Sequence, residues 1–197
     1  MLPHKTPAMQ TRADTALIAD TVRWLERAVI GLNLCPFAKA VHTKGQVHYA
    51  VCRATDSEDV LRALEHELRT LAATPAEQRD TTLLLVPDCL HDFLDYNDFL
   101  AECDALLKRM KLVGTLQIAS FHPHFQFAGT REDDPSNCTN RSPYPTLHLL
   151  REDSIDRAVD AFPEAETIFE RNIALLTELG MPGWEALGVG AGSAEKP

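Results

Sequence analysis

One stretch of the chain, Ser120 to Arg151, crowds together side chains whose types and spacing could do chemistry. His122 stands where a strand would end, and its imidazole, with an ordinary pKa near ~6.5, suits a general acid or base. Asn140-Arg141-Ser142 sets an amide, a guanidinium fork and a hydroxyl side by side. A guanidinium grips carboxylate or phosphate through two parallel bonds, so the triplet reads as an anion clamp. Each has a structural alternative. His122 could hold a strand end by a hydrogen bond, and Arg141 could pin the loop by pairing with Asp133 or Asp134. His148 lies mid-strand on the same face as Leu150, as suited to partial burial as to catalysis.

Outside this loop, Cys35 precedes Pro36 and stands one turn ahead of Lys39, in the string Leu34-Cys35-Pro36-Phe37-Ala38-Lys39. A thiolate at a helix start next to a cation is stabilised, and a thiol nucleophile could pair with His122 if the fold brought them together. Burial as a small core residue is the competing role. Asp98 and Asn97 sit on a helix near strand ends, where ligands of open α/β sheets collect, although helix charges mostly face water. His122 and His124, two apart, could share a metal with Cys138 or Cys35. No HExxH or CxxC accompanies them, so no metal site is assigned, and the sequence names no cofactor.

Composition narrows the partners. Acidic residues number 29 against 19 basic, for a net charge of −10. Nucleic-acid binders concentrate basic charge, and anionic membranes attract it, so neither is an expected partner. Five cysteines, an odd number without CxxC, argue against a disulfide framework and for a reducing, cytoplasmic setting. The opening MLPHKTPAMQTR lacks the apolar core of a secretory signal, and no apolar run is long enough to span a bilayer. The expectation is a soluble protein, with nothing to fix its oligomeric state.

The elements that must position these groups follow from periodicity. Ile18, Val22, Leu25, Val29 and Leu32 make one helical stripe, broken at Cys35-Pro36. Val47, Tyr49 and Val51 alternate in a strand, and Thr55 with Glu58 forms a capping box for a helix carrying Val60, Leu61, Leu64, Leu68 and Leu71. A short apolar strand over 81–86 precedes a second long helix with Leu94, Leu100, Leu107 and Met110 inward. Leu116 to Phe121 and Thr146 to Arg151 are strands with no helix between them, which predicts an antiparallel hairpin around a long insertion. A short helix from Ser154 and one from Glu164 to Leu179, stopped by Gly180, finish the chain. The predicted fold is α/β, one domain over 14–187, with a mixed sheet of about four strands and disordered ends at 1–13 and 188–197. A ferredoxin-like α+β arrangement is the alternative.

The strings LNLCPFAKAVH, DFLDYNDFL, QIASFHP, QFAGT, TNRSPYPTLHLLRE and FPEAETIFERNI closely resemble a bacterial family of uncharacterised proteins, domain-of-unknown-function family 1415, over about residues 14–187. The family pattern matches at Cys35, Pro36, Asp98, His122, Pro123, Asn140, Arg141, Ser142, Pro143, Tyr144, Pro145, His148 and Arg151, and does not include His124 or Cys138. The resemblance brings no established activity. Ser142, Tyr144, His148, Asp98 and Arg151, with Asn140 and Arg141, are the residues expected to bind a substrate.

Two functional readings result. One is an enzyme acting on a small anionic metabolite, with His122 as acid or base, Asn140 and Arg141 as clamp, and Cys35 or Asp98 on the pocket wall. The other is a non-catalytic ligand- or partner-binding module that uses the same loop, presenting Tyr144, Phe125 and Phe127. A thiol-based activity at Cys35 is a third, lesser reading.

Overall fold

A computed structural model describes residues 7–161 and 167–192, with side chains from residue 13 onward. Helix α1 (Pro7–Trp24) begins within the stretch expected to be disordered and continues into one wide π-helical turn, Leu25–Ile30. Gly31 N–H closes that turn on Glu26 O at 2.9 Å. A side chain could not replace this glycine easily, because a Cβ here would lie 2.3 Å from Arg27 O. Asn33, at φ 54, then turns the backbone left-handed before Pro36. Helix α2 (Ala38–Thr43) and strand β1 (Val47–Val51) follow.

Helix α3 (Ser57–Ala73) is capped by Asp56, whose side chain accepts from Asp59 N–H, so the cap lies one residue past the predicted Thr55. Strand β2 (Thr81–Leu85) leads to α4 (Phe93–Met110), capped by Asp92. Leu94, expected to point inward, is 71% exposed; Tyr96, Phe99, Cys103, Leu106 and Leu107 form the buried stripe instead. Of the other residues expected inward, Leu107 is buried and Leu100 and Met110 pack against the core, so Leu94 alone is misplaced. Strand β3 (Leu116–Phe121), a 3-10 turn at Pro135–Asn140, β4 (Thr146–Arg151), α5 (Glu152–Asp160) and α6 (Ile168–Ala186) complete the order. Gly180, at φ 65 and ψ 172, interrupts α6 where a helix stop was expected. The start predicted for that helix, Glu164, lies outside the described residues, as does 193–197 of the tail. Val189 of the same tail is buried, and Gly192 N–H reaches Asp20, so its first residues pack on the domain.

The sheet is mixed, in the order β1-β2-β4-β3. β1 and β2 are parallel, while β4 pairs antiparallel with both β2 and β3. This confirms the α/β fold and the hairpin, and the strand order is not the ferredoxin-like alternative. Because side chains alternate, each strand feeds both faces. Leu84, Leu116, Leu147 and Leu149 face α3 and α4, where they meet Leu64, Leu68, Tyr96 and Leu106 in a closed core. Leu83, Leu85, Tyr49 and Phe121 face α1 and its wide turn, with Trp24 edge-on to Phe121 at 5.3 Å. No helix among the described residues is long and apolar enough to cross a membrane.

Candidate functional site

The loop from His122 to Pro145 is ordered by its own polar groups. His122 is 0% exposed, stacked between Phe93 and Tyr96 with ring centroids 5.4 and 5.1 Å away. Its Nδ1 accepts from His124 N–H at 3.0 Å, so the ring proton sits on Nε2, which donates to Leu90 O at 3.1 Å. Burial lowers its pKa and keeps it neutral. Both nitrogens are committed, which leaves neither for proton transfer or a metal. Asn140 donates from Nδ2 to Ser120 O at 3.1 Å and accepts from His122 N–H at 3.1 Å, tying the two ends of the loop.

Arg141 donates from Nε to Phe125 O and from Nη2 to Glu132 O, at 3.3 and 2.7 Å. It pins the loop through carbonyls rather than through the carboxylates proposed for it. Asp133 pairs with Arg131 at 3.0 Å, and Asp134 caps the 3-10 turn through Ser136 N–H at 2.9 Å. Ser142 Oγ donates to Tyr144 O at 2.7 Å, and Tyr144 OH to Asp20 at 2.7 Å. Asn137, which sequence reasoning passed over, is 0% exposed and organises the turn: its Oδ1 accepts from Phe127 N–H and Thr130 Oγ, and its Nδ2 donates to Arg131 O. Asp98 is exposed on α4. Arg141 also borders an open groove of ≈ 530 Å³ with His124, Arg131, Glu132 and Asp133, a lining of mixed charge. His122, Arg141 and Asn140 therefore do not converge on one pocket.

A different set does converge, on the opposite face of the sheet. Between β-strands and helices lies a cavity of ≈ 610 Å³. Its floor is Val47, Leu83, Ala119, Phe121, His148 and Leu150, drawn from all four strands. Trp24 at the end of α1 with Leu25 and Val29 of the wide turn form one wall, the Cys35–Ala38 turn another, and Ile155 and Ala158 of α5 a third. Three of the sequence-selected residues meet here: Cys35, His148 and Arg151. The surface is overwhelmingly hydrocarbon. Of the rim charges, Asp80 accepts from Ser154 Oγ at 2.6 Å. Arg151 Nη2 is occupied by Leu71 O, Thr74 O and Arg79 O at 2.6, 2.5 and 3.0 Å, while its Nε is buried without a partner.

His148 is held by Thr81, with Nε2 2.7 Å from Thr81 Oγ. The hydroxyl proton of Thr81 is already given to Leu149 O at 2.6 Å, so His148 must be the donor in this pair. The imidazole thus carries its proton on Nε2 and a bare lone pair on Nδ1. Burial pushes its pKa down to about 4, so the ring is neutral at pH 7. Burial likewise raises the Cys35 thiol, and the N–H groups of Phe37 and Ala38 offset this only in part. Cys35 is a thiol here, not the activated thiolate expected from Lys39. His148 on a face with Leu150, and the apolar side of α5 with Ile155 and Ala158, are the signals in the sequence that mark this cavity.

The family model described as "Protein of unknown function (DUF1415)" matches residues 16–186, and the chain belongs to that family. No curated protein and no solved structure matches it.

Proposed function

We propose that this member of the family is a small-molecule-binding protein whose site is the apolar cavity over the sheet. The observation that carries the reading is the cavity's size and lining: ≈ 610 Å³ of largely hydrocarbon surface with a few polar groups set into it. Ligand sites of drug-sized molecules have this volume and this chemistry. A neutral imidazole and a protonated thiol suit binding more than nucleophilic attack, which needs a thiolate. The anionic-metabolite reading of the loop has less support, because Arg141, Asn140 and Ser142 each use donors on backbone carbonyls to hold the loop.

Titration with N-phenyl-1-naphthylamine, which fluoresces in apolar surroundings, tests this. The wild-type chain should enhance the fluorescence saturably with one probe per chain. Ala119→Phe, which fills the floor from β3, and Ala158→Phe, which fills it from α5, should each abolish the signal without lowering Tm. Undiminished enhancement in both folded variants would place the probe elsewhere and sink the reading.

A further inference from the structure

The polar features of the cavity restrict what its ligand can carry. His148 Nε2–H is used on Thr81, and the direction of that bond is fixed because Thr81 Oγ–H is committed to Leu149 O. Nδ1 is left with a lone pair. No group among the described residues bonds it, and it is not among the polar atoms sealed within the packing. Since His148 borders the cavity, that lone pair is an acceptor offered to whatever occupies the space. The same acceptor on His122 is filled by His124 N–H, which shows what the fold does when such an atom is meant to be satisfied internally.

Two of the Arg151 nitrogens near the cavity are committed or shielded. Arg151 Nη2 is saturated by carbonyls, and its Nε–H is enclosed with no access to a ligand. A carboxylate oxygen placed beside His148 would meet a lone pair rather than a donor, and would lose its hydration there without replacement. An ether or ketone would likewise find no donor at His148. A hydroxyl fits, because it brings the one proton the site lacks.

We propose that the cavity is selective for apolar alcohols or phenols, the ligand O–H donating to His148 Nδ1. This rests on the cavity being the ligand site and adds to it the polarity of the ligand. Four probes on one skeleton separate the two: 2-naphthol, 2-methoxynaphthalene, naphthalene and 2-naphthoate, each measured with the full-length chain at pH 7 by displacement of N-phenyl-1-naphthylamine. Naphthol should bind about fivefold tighter than naphthalene and the methyl ether, the worth of one net hydrogen bond. Naphthoate should bind at least about tenfold more weakly than naphthol. His148→Leu should remove the preference for naphthol over naphthalene and the methyl ether. If naphthol and its methyl ether bind alike, or naphthoate binds tightest, the polarity is wrong although the cavity stands. If no probe of the four displaces the reporter from the wild-type chain, the cavity reading falls with it. The ether comparison needs no variant, so the inference stays exposed even where His148→Leu fails to fold.

Discussion

The two faces of this sheet receive alternate residues of the same strands, yet one is filled and the other is hollow. On the α3/α4 side, Leu84, Leu147 and Leu149 are covered to 1% exposure or less. On the other side, His148 and Leu150, their immediate neighbours on β4, border the ≈ 610 Å³ cavity. A histidine from each side makes the same point. His122 has both nitrogens bonded to backbone, while His148 has one on Thr81 and one open. The difference teaches where stability and function separate. A face whose polar atoms are all satisfied and whose volume is filled has nothing left to offer a ligand, however suggestive its residue types.

The sharpest way to break the comparison is to cut the same side chain from both faces of one strand. Leu149→Ala removes a side chain enclosed by α3 and α4, and should cost about 2–5 kcal/mol. Leu150→Ala only enlarges an existing cavity and should cost less than about 1.5 kcal/mol, because little close packing is lost. Urea midpoints of the two variants measure this directly. Equal losses would mean that the cavity face is as tightly packed as the other.

Acid provides the next test. His148 ordinarily titrates near 6.5 but in the fold is pushed down to about 4. Below pH 6.5 the unfolded chain takes up a proton that the folded chain refuses, so stability falls as pH drops from 6.5 to about 4. Such a shift is worth up to about 3 kcal/mol. His122 and His48, both lowered by burial, act in the same direction. Unfolding free energy measured from pH 7.5 to 4 should fall, and His148→Leu should flatten the curve without abolishing the fall. An unchanged slope in that variant would show that His148 is not held neutral.

How much of this was legible from residues alone follows the same division. Periodicity located all four strands and the hairpin, because alternation and helical spacing are local signals. It misplaced only Leu94 of the α4 stripe, a first-turn residue that spacing counts as inward but the helix start leaves exposed. In the loop, the residue types were read correctly as polar and hydrogen-bonding. Whether Arg141 points at a ligand or at Phe125 O and Glu132 O depends on carbonyls 16 and 9 residues away in sequence, which carry no side-chain signature. Cys35, His148 and Arg151 were each picked out, but not as one group. Their meeting depends on α1 and α5 stopping short of full coverage of the sheet, a matter of helix placement rather than motif. Asn137 was missed because an amide among serine, threonine and aspartate looks like any solvated turn.

The smallest expected effect concerns Arg141, and it separates a clamp for ligands from a clamp for the loop. Arg141 reaches Phe125 O through Nε and Glu132 O through Nη2, two carbonyls seven residues apart in the same loop. Lysine has a single ammonium and cannot span both positions, whereas the charge itself is kept. In Arg141→Lys one carbonyl bond should therefore be lost, at a cost of about 1 kcal/mol, visible as a modest drop in Tm of the ligand-free protein. Displacement of N-phenyl-1-naphthylamine by 2-naphthol should be unchanged, because the cavity lies on the far face and Arg141 is not among its lining residues. The opposite pattern, an unaltered Tm with weakened binding of an inorganic phosphate or carboxylate probe, would return Arg141 to the role of ligand clamp. It would also make the loop groove shared with His124 and Arg131, rather than the hollow face of the sheet, the place to look for the substrate.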